Sequence, residues 1–154
     1  NDEAHNALAE QFKEHSIKRE YYALVEGKFK VLEGTIDKPL GRNKKDRLKM
    51  AIVEDGKRAV THYKVLEQYN NNTSLIKCIL ETGRTHQIRV HMASIGHPLV
   101  GDPLYGAKKQ KFKLQGQVLH AKTLGFIHPT SKEYMEFDSE LPKYYLDLLD
   151  LLRK

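Results

Sequence analysis

Residues 81–106 read ETGRTHQIRVHMASIGHPLVGDPLYG. Two arginines, three histidines and four glycines fall within these 26 residues. An apolar run with a β-strand pattern, 74–80, precedes the stretch, and a segment rich in Lys and Gln follows it. No other part of the sequence combines so many polar functional groups with so many glycines and prolines that shape the backbone. We therefore expect the chain to turn here and to form one wall of a functional site.

A short helix is predicted at 86–95. Gly83 breaks the strand pattern that comes before it, and Thr85 is a residue type that often caps the N-terminus of a helix. Gly96 and Pro98 together form a strong stop signal. A rigid loop is expected to follow the helix, because further glycines and prolines occur before the end of the stretch.

Two faces of this helix differ in chemistry. Ile88, Met92 and Ile95 recur at i, i+4 and i+7, a spacing that places them on one buried face. His86 and Arg89 share the neighbouring face. An arginine beside an apolar face can bind a carboxylate or a phosphate through two parallel hydrogen bonds. An internal ion pair with an Asp or Glu is an equally good interpretation from the residues alone.

Strand patterns surround the stretch on both sides. Residues 18–26 are apolar on both faces, with Tyr21 on one and Tyr22 on the other, and this pattern predicts a central strand. A tyrosine in such a strand is commonly part of the core, where its hydroxyl needs a partner. The other predicted elements are helices at 1–15 and 142–153, strands at 58–69, 74–80, 118–127 and 133–137, a loop-rich segment at 27–56 and an exposed, mobile segment at 107–117. Together they predict one α+β domain, 1–154, with a mixed, mainly antiparallel sheet flanked by helices.

The chain of 154 residues is basic, with a formal net charge of +6 and a pI near 9.3. This excess favours a polyanionic partner, although ordinary solubility charge explains it equally well. Positive charge concentrates at 42–49, which is either a solvated loop or a track for phosphates. A single cysteine, Cys78, excludes an internal disulfide and suits the reducing cytoplasm. No apolar run is long enough to span a bilayer.

Neither a metal nor a cofactor is predicted. The chain has eight histidines, but His86 and His91 are five residues apart and point away from each other on a helix. The sequence also lacks a cysteine pair, a G-x-S-x-G elbow, a Walker A motif and a dinucleotide fingerprint. From the residues alone, the chain is a basic α+β domain with a site that faces an anion.

The stretch from Thr82 to Gly106 closely resembles the C-terminal signature of the RluA/RluD-type pseudouridine synthases, which is long and specific. Arg19–Gly27 is similar to the family's basic-x-Tyr-x-Ala-x-Val motif. Further similar pieces follow in the family's order, namely Gly34–Asp37, Ala59–Tyr63, Leu119–Ala121 and Phe126–Pro129. The resemblance covers essentially the whole chain. It implies an enzyme that converts uridine in RNA to pseudouridine without a cofactor or metal.

The resemblance also implies roles for five residues. Tyr21 matches the active-site tyrosine, which stacks on the flipped base and can serve as a general base. Arg89 matches the arginine that pairs with the catalytic aspartate and orients it. Arg84 and His86 would lie near the RNA or at the rim of the pocket, and Leu119 would form part of its apolar wall.

One motif of the family is missing. The catalytic aspartate belongs to a His-Arg-Leu-Asp motif upstream of the region that matches the first residues here, and the chain contains no such sequence. We therefore expect the C-terminal portion of a catalytic domain, without the aspartate motif and without the S4-like RNA-binding domain common in relatives. Alone it should be inactive, with Arg89 solvated or bound to a stray anion.

Two further expectations concern partners. The resemblance implies RNA as the substrate, ribosomal RNA first and transfer RNA second, and exposed sheet edges would favour self-association of the chain. The alternative function is a non-catalytic RNA-binding protein that kept the fold. The presence of both Tyr21 and Arg89 favours the enzyme, because phosphate binding alone does not require this pair.

Overall fold

The structure, a computed structural model, describes residues 4, 6 and 17–154. The described strands and helices are, in chain order, β1 (Lys18–Glu26), β2 (Glu33–Asp37), β3 (Leu40–Arg42), β4 (Met50–Ile52), β5 (Val60–Tyr69), β6 (Thr73–Leu80), α1 (Gln87–Ser94), β7 (Leu119–Ile127), β8 (Tyr134–Asp138) and α2 (Lys143–Leu152). The helix predicted at 1–15 lies outside the described residues, except for Ala4 and Asn6, which are helical. Within the described part of the chain, no helix is long and apolar enough to cross a membrane.

A six-stranded sheet forms the centre of the fold. Its strand order is β2-β5-β6-β1-β7-β8, and every neighbouring pair is antiparallel. β3 and β4 form a separate two-stranded hairpin. The hairpin predicted from the sequence is β5–β6, and residues 70–72 make its turn. The predicted α+β class with a mainly antiparallel sheet is therefore confirmed.

The central position predicted for β1 is confirmed. It lies between β6 and β7, and its residues contribute to two separate apolar clusters. Ala23 and Val25 pack on one face against side chains of α1. Leu24 packs on the opposite face against α2. Because successive side chains of a strand point to opposite faces, β1 joins the two halves of the core and sets the side on which Tyr21 lies.

The N-terminus of α1 differs from the prediction. Thr85 is not the N-cap; that position is His86, which has a left-handed backbone conformation (φ 56°) and makes no side-chain capping bond. The side chain of Gln87 folds back instead. Its Oε1 accepts hydrogen bonds from the hydroxyl of Thr82 at 2.7 Å and from the backbone N–H of Arg84 at 3.0 Å. The turn before α1 is thus stabilised by the side chain of the first helix residue, together with Thr82, rather than by Thr85.

Burial of α1 is also wider than the single apolar face that was predicted. All residues from Gln87 to Met92 are buried. The polar members are satisfied inside the protein: Nδ1 of His91 lies 2.8 Å from the hydroxyl of Thr61, and its Nε2 lies 2.9 Å from the carbonyl oxygen of Lys38. Since a carbonyl only accepts, Nε2 carries the proton and Nδ1 accepts. Burial lowers the pKa of His91, which is therefore a neutral structural residue.

The segment 27–56, predicted to be loop-rich, contains three short strands. β2 extends the sheet beside β5, while the β3–β4 hairpin packs on α1. Leu40 and Met50 of the hairpin contact the cluster that includes Val90 of α1. Strands of three residues are too short to show a period of two in the sequence. The hairpin brings the basic segment 42–49 close to α1, which the sequence did not indicate.

Candidate active site

An open cavity of about 450 Å³ lies beside Tyr21, where β1, β7 and β8 meet. Tyr21 stands opposite Cys78 of β6 and Ala121 of β7, and it is half-buried. It also packs against the apolar cluster that includes side chains of α1. The cavity is lined by Arg19, Tyr21, Gly83, Ala121, Lys122, Thr123, Leu124, Phe137, Asp138 and Ser139. Its volume is within the range of small-ligand pockets and is large enough for a planar base.

Arg19 is a functional group of this cavity that was not among the predicted site residues. It lies two residues before Tyr21 on the same face of β1 and is 7% exposed. Its Nη2 donates to the carbonyl of Glu81 at 3.2 Å, and a Cβ at Gly83 would overlap its Nη1. Burial lowers the pKa of Arg19, and the charge of Arg84 lowers it further, but a guanidinium stays charged at neutral pH. The sequence signal that could have identified Arg19 is a basic residue two positions before the tyrosine of a predicted strand.

Arg84 lies near the same cavity, in the turn that precedes α1. It is half-buried, and its Nε donates to the carbonyl of Arg58 at 2.9 Å. Its charge acts on Arg19, so the two guanidinium groups lie close enough to interact. Two such groups favour an anionic ligand. The role of Arg84 at the rim of a site stays a prediction.

Arg89 lies in a buried ion pair with Asp102. Its Nε donates to Oδ2 and its Nη2 to Oδ1, each at 2.8 Å. Arg89 is 8% exposed and Asp102 is 1% exposed. The expectation that Arg89 would be solvated or bound to a stray anion is therefore wrong. The loop after α1 folds back and supplies a carboxylate from within the chain, which is the internal ion pair that the residues alone had left open.

Asp102 is the most highly coordinated carboxylate at this site. Besides the two bonds from Arg89, Oδ1 accepts the backbone N–H groups of Leu104 at 3.0 Å and Tyr105 at 3.1 Å. Burial opposes ionisation of Asp102, but these four hydrogen bonds outweigh it and hold its pKa below the ordinary value. The bond to Asp102 raises the pKa of Arg89. Both partners are therefore charged at neutral pH.

His86 is held next to this pair by Tyr105. Nδ1 of His86 and the hydroxyl of Tyr105 are 2.7 Å apart, and the N–H of Met50 donates to the same hydroxyl oxygen at 2.8 Å. The guanidinium of Arg89 lies 5.2 Å from the centroid of the Tyr105 ring, a cation–π distance. Burial lowers the pKa of His86, and the charge of Arg89 lowers it further. The predicted proximity of His86 and Arg89 is thus present, with Tyr105 between them.

The five predicted site residues fall into two groups. Tyr21 and Leu119 pack on the same apolar cluster, and Arg84 follows Gly83, which lines the cavity beside Tyr21. His86 and Arg89 belong to the second group, around Tyr105. No hydrogen bond or ion pair between described residues joins the two groups directly. They meet through α1, because its apolar side chains reach the Tyr21 cluster while its neighbouring face carries Arg89.

A metal centre was not predicted, and the described residues contain no candidate for one. Among residues 4, 6 and 17–154, no three His, Cys, Asp or Glu side chains are placed to hold a metal ion. Burial raises the pKa of the Cys78 thiol to about 12, so this cysteine is a core residue rather than a nucleophile.

The sequence model of the RNA pseudouridylate synthase family matches residues 1–94. The chain belongs to this family. It is 51% identical over 154 residues to an uncharacterised RNA pseudouridine synthase of Bacillus subtilis, YlyB. That alignment covers all of this chain and 50% of the Bacillus protein. It is 54% identical over 151 residues to ribosomal large subunit pseudouridine synthase D of Zymomonas mobilis, covering 92% of this chain and 47% of that one. The RluA/RluD-type resemblance is confirmed, and the chain spans about half the length of these relatives.

Solved structures agree with this assignment. Human RNA pseudouridylate synthase domain containing 1 superposes with a TM-score of 0.78 at 30% identity, covering 99% of this chain and 72% of the human one. Human RNA pseudouridylate synthase domain containing 4 has the same fold, with a TM-score of 0.76 at 24% identity. These structures confirm the family's fold over essentially the whole chain.

Proposed function

We propose that this chain forms part of an RNA pseudouridine synthase, which isomerises uridine to pseudouridine in structured RNA. Family membership supports the reaction class. Relatives named ribosomal large subunit pseudouridine synthase D support large-subunit ribosomal RNA as the substrate. The observation that carries the proposal is the cavity beside Tyr21, where a half-buried aromatic ring on the central strand shares the wall with the guanidinium of Arg19.

The cavity suits a uracil base that has been flipped out of its stack. The ring of Tyr21 would stack on the base, and Leu119, which packs on the same cluster, would exclude water. Arg19 and Arg84 would contact the phosphates on either side of the flipped nucleotide. Flipping costs about a few kcal/mol, which stacking and phosphate contacts offset.

The basic segment 42–49 would extend these phosphate contacts. The hairpin that carries it packs on α1 through Met50, whose backbone N–H donates to Tyr105. The charge of Arg42 also reaches His86 and contributes to lowering its pKa. We propose that the hairpin holds the RNA backbone while the base enters the cavity.

The chemistry is an isomerisation and needs no cofactor. An aspartate starts it, the uracil detaches, rotates and rejoins through carbon, and a proton is then lost from that carbon. Tyr21 would serve as the general base for this last step, because it lines the cavity in which the base would lie. Arg89 would orient the attacking aspartate through a charge-assisted hydrogen bond.

We propose that these 154 residues do not catalyse the reaction alone. The family's attacking aspartate stands in a His-Arg-Leu-Asp motif, which this sequence lacks. Asp102 does not replace it, because its carboxylate accepts four hydrogen bonds and its side chain is 0% exposed. A carboxylate so enclosed is not available to attack a ribose.

Pseudouridine formation in large-subunit ribosomal RNA tests the proposal, with carbodiimide labelling and primer extension as the readout. We expect the full-length gene product that contains this chain to form pseudouridine, and the 154-residue chain alone to bind RNA without forming it. Tyr21→Phe in the full-length protein should keep RNA binding and lower the rate by about 10²–10⁴-fold, the usual contribution of a general base. The matched control is Tyr144→Phe, an exposed tyrosine on α2. RNA binding by the full-length protein without any pseudouridine would favour the non-catalytic alternative.

We also propose that the chain self-associates through sheet edges. β2 and β8 are the outer strands of the described sheet. β8 has exposed aromatic side chains, Tyr134 at 54% and Phe137 at 52%. Unpaired backbone groups on such an edge can pair with a strand of a second chain.

A further inference from the structure

The Arg89–Asp102 pair uses only one edge of the guanidinium. Asp102 occupies the edge formed by Nε and Nη2. A guanidinium has five N–H groups, so two on Nη1 and one on Nη2 remain. Within residues 17–154, no hydrogen bond is formed by Nη1 of Arg89. The Arg89 side chain is 10% exposed whereas that of Asp102 is 0% exposed, so the solvent-accessible part of the pair belongs to the arginine.

Asp102 is itself fixed to the backbone of its own loop. Its Oδ1 accepts the N–H groups of Leu104 and Tyr105, and the carbonyl oxygen of Asp102 accepts the N–H of Gly106 at 3.1 Å. The ring of Tyr105 lies against the guanidinium on another side. The loop therefore acts as a rigid support that determines the plane of the Arg89 guanidinium and the direction of its free edge.

We propose that Asp102 is a positioning residue of the pseudouridine synthase site, which holds Arg89 by its Nε–Nη2 edge so that the Nη1 edge faces the attacking carboxylate. This inference rests on the proposed function. It adds a second carboxylate to the site, which positions Arg89 and does not react, in contrast to the attacking aspartate. Asp102 stays paired throughout the reaction and never touches the RNA, whereas the attacking aspartate binds the other edge of the same guanidinium.

A purely structural ion pair would have a different consequence. If the pair only fastened the loop to α1, any change that kept the protein folded would leave the reaction unaffected. If Asp102 acts through Arg89, its loss lets the guanidinium turn away from the attacking carboxylate. The attacking carboxylate then loses a nearby positive charge, which raises its pKa, whereas removal of the Asp102 charge without that movement would lower it. The acid limb of the pH–rate profile should move to higher pH, because the attacking group must be ionised. His86, at the N-cap of α1, and Tyr105, in the loop, face the pair, and neither is substituted in the variants below.

The experiment compares four forms of the full-length gene product on large-subunit ribosomal RNA: wild type, Asp102→Asn, Arg89→Gln, and the double variant Arg89→Gln/Asp102→Asn. Asp147→Asn, which removes an exposed carboxylate paired with Lys143 on α2, is the matched control. Folding of each form is checked by circular dichroism at the assay temperature. The double variant replaces the ion pair by two neutral amides, so it keeps the site filled if either single variant fails to fold.

We expect Asp102→Asn to lower kcat by on the order of 10²-fold, the effect of a misplaced catalytic group, with KM for RNA unchanged. Its acid limb should shift to higher pH. The double variant should be no slower than Arg89→Gln, because residues that act through one another have non-additive effects. The inference is overturned if folded Asp102→Asn has the wild-type kcat and pH profile, or if the double variant regains activity together with stability. Wild-type protein that binds the RNA and forms no pseudouridine would instead overturn the proposed function, and this inference with it.

Discussion

Replacing Arg89 by Met should lower the free energy of unfolding by more than the position of this residue on a short helix suggests. The substitution keeps a long, flexible side chain but leaves the carboxylate of Asp102 buried without its cation. Breaking a buried ion pair by removing one partner costs about 3–5 kcal/mol. Asp102 keeps the two backbone N–H donors of its loop, so we expect the lower end, about 3 kcal/mol. A chain of this size has a total stability of about 5–15 kcal/mol, so the loss is a large fraction of it.

Urea denaturation followed by far-UV circular dichroism measures this loss. With a slope of about 2 kcal/mol per molar urea, the midpoint should fall by about 1.5 M at pH 7. Arg153→Met is the matched control, since Arg153 also makes two hydrogen bonds to one carboxylate, that of Glu67. That pair is exposed, with side chains at 46% and 35%, so its loss should cost about 1 kcal/mol or less.

The pH dependence provides a second check. In the native protein the pKa of Asp102 is below its ordinary value, so its contribution to stability is complete above the unfolded pKa and is lost as the pH falls through the folded pKa. In Arg89→Met the carboxyl keeps its burial and loses its cation, which raises its pKa. The stability difference between the two forms should therefore shrink as the pH is lowered from 7 towards 4. Equal midpoints for Arg89→Met and Arg153→Met, or a difference that does not change with pH, would refute the reasoning.

Two further predictions concern the cavity and the sheet edge. Gly83→Ala should displace the Arg19 guanidinium and weaken RNA binding several-fold in a filter-binding assay, whereas Gly116→Ala, where an added Cβ meets nothing within 4 Å, should bind as wild type; equal affinities would show that the position of Arg19 does not matter. Tyr134→Lys places a charge on the edge strand β8 and should shift sedimentation towards the monomer. A wild-type chain that is monomeric at high concentration would exclude edge pairing.

The local pattern of apolar residues predicted the position of β1 in the sheet correctly, and the reason is geometric. Apolar residues on both faces of 18–26 predicted a central strand, and the structure places β1 between β6 and β7. The side of the sheet on which Tyr21 lies follows directly from the alternation of side chains. The same alternation places Arg19 on the face of Tyr21. The position of its guanidinium, however, depends on Gly83, which belongs to a turn distant in sequence and leaves room for that group.

The start of α1 shows where local preference is insufficient. Thr85 has the residue type of an N-cap, yet the N-cap is His86. The turn is stabilised instead by Gln87, whose side chain also donates to the carbonyl of Val60 on β5. That bond requires β5 and α1 to be adjacent, and a capping preference takes no account of such adjacency. The short strands β3 and β4 were missed for a related reason, since their position depends on packing against α1 rather than on a sequence period.

The tertiary structure determines which carboxylate pairs with Arg89. Residue types and their spacing were enough to predict a helix with one buried face and an arginine at its edge, a central tyrosine strand and a mainly antiparallel sheet, because helix and strand periods are local properties. They were also enough for the family resemblance. Which carboxylate meets the guanidinium depends on how the loop after α1 folds back, and neither helix nor strand periodicity contains that information. Asp102 is therefore a member of the site through the tertiary structure alone, in which its loop encloses the carboxylate against Arg89.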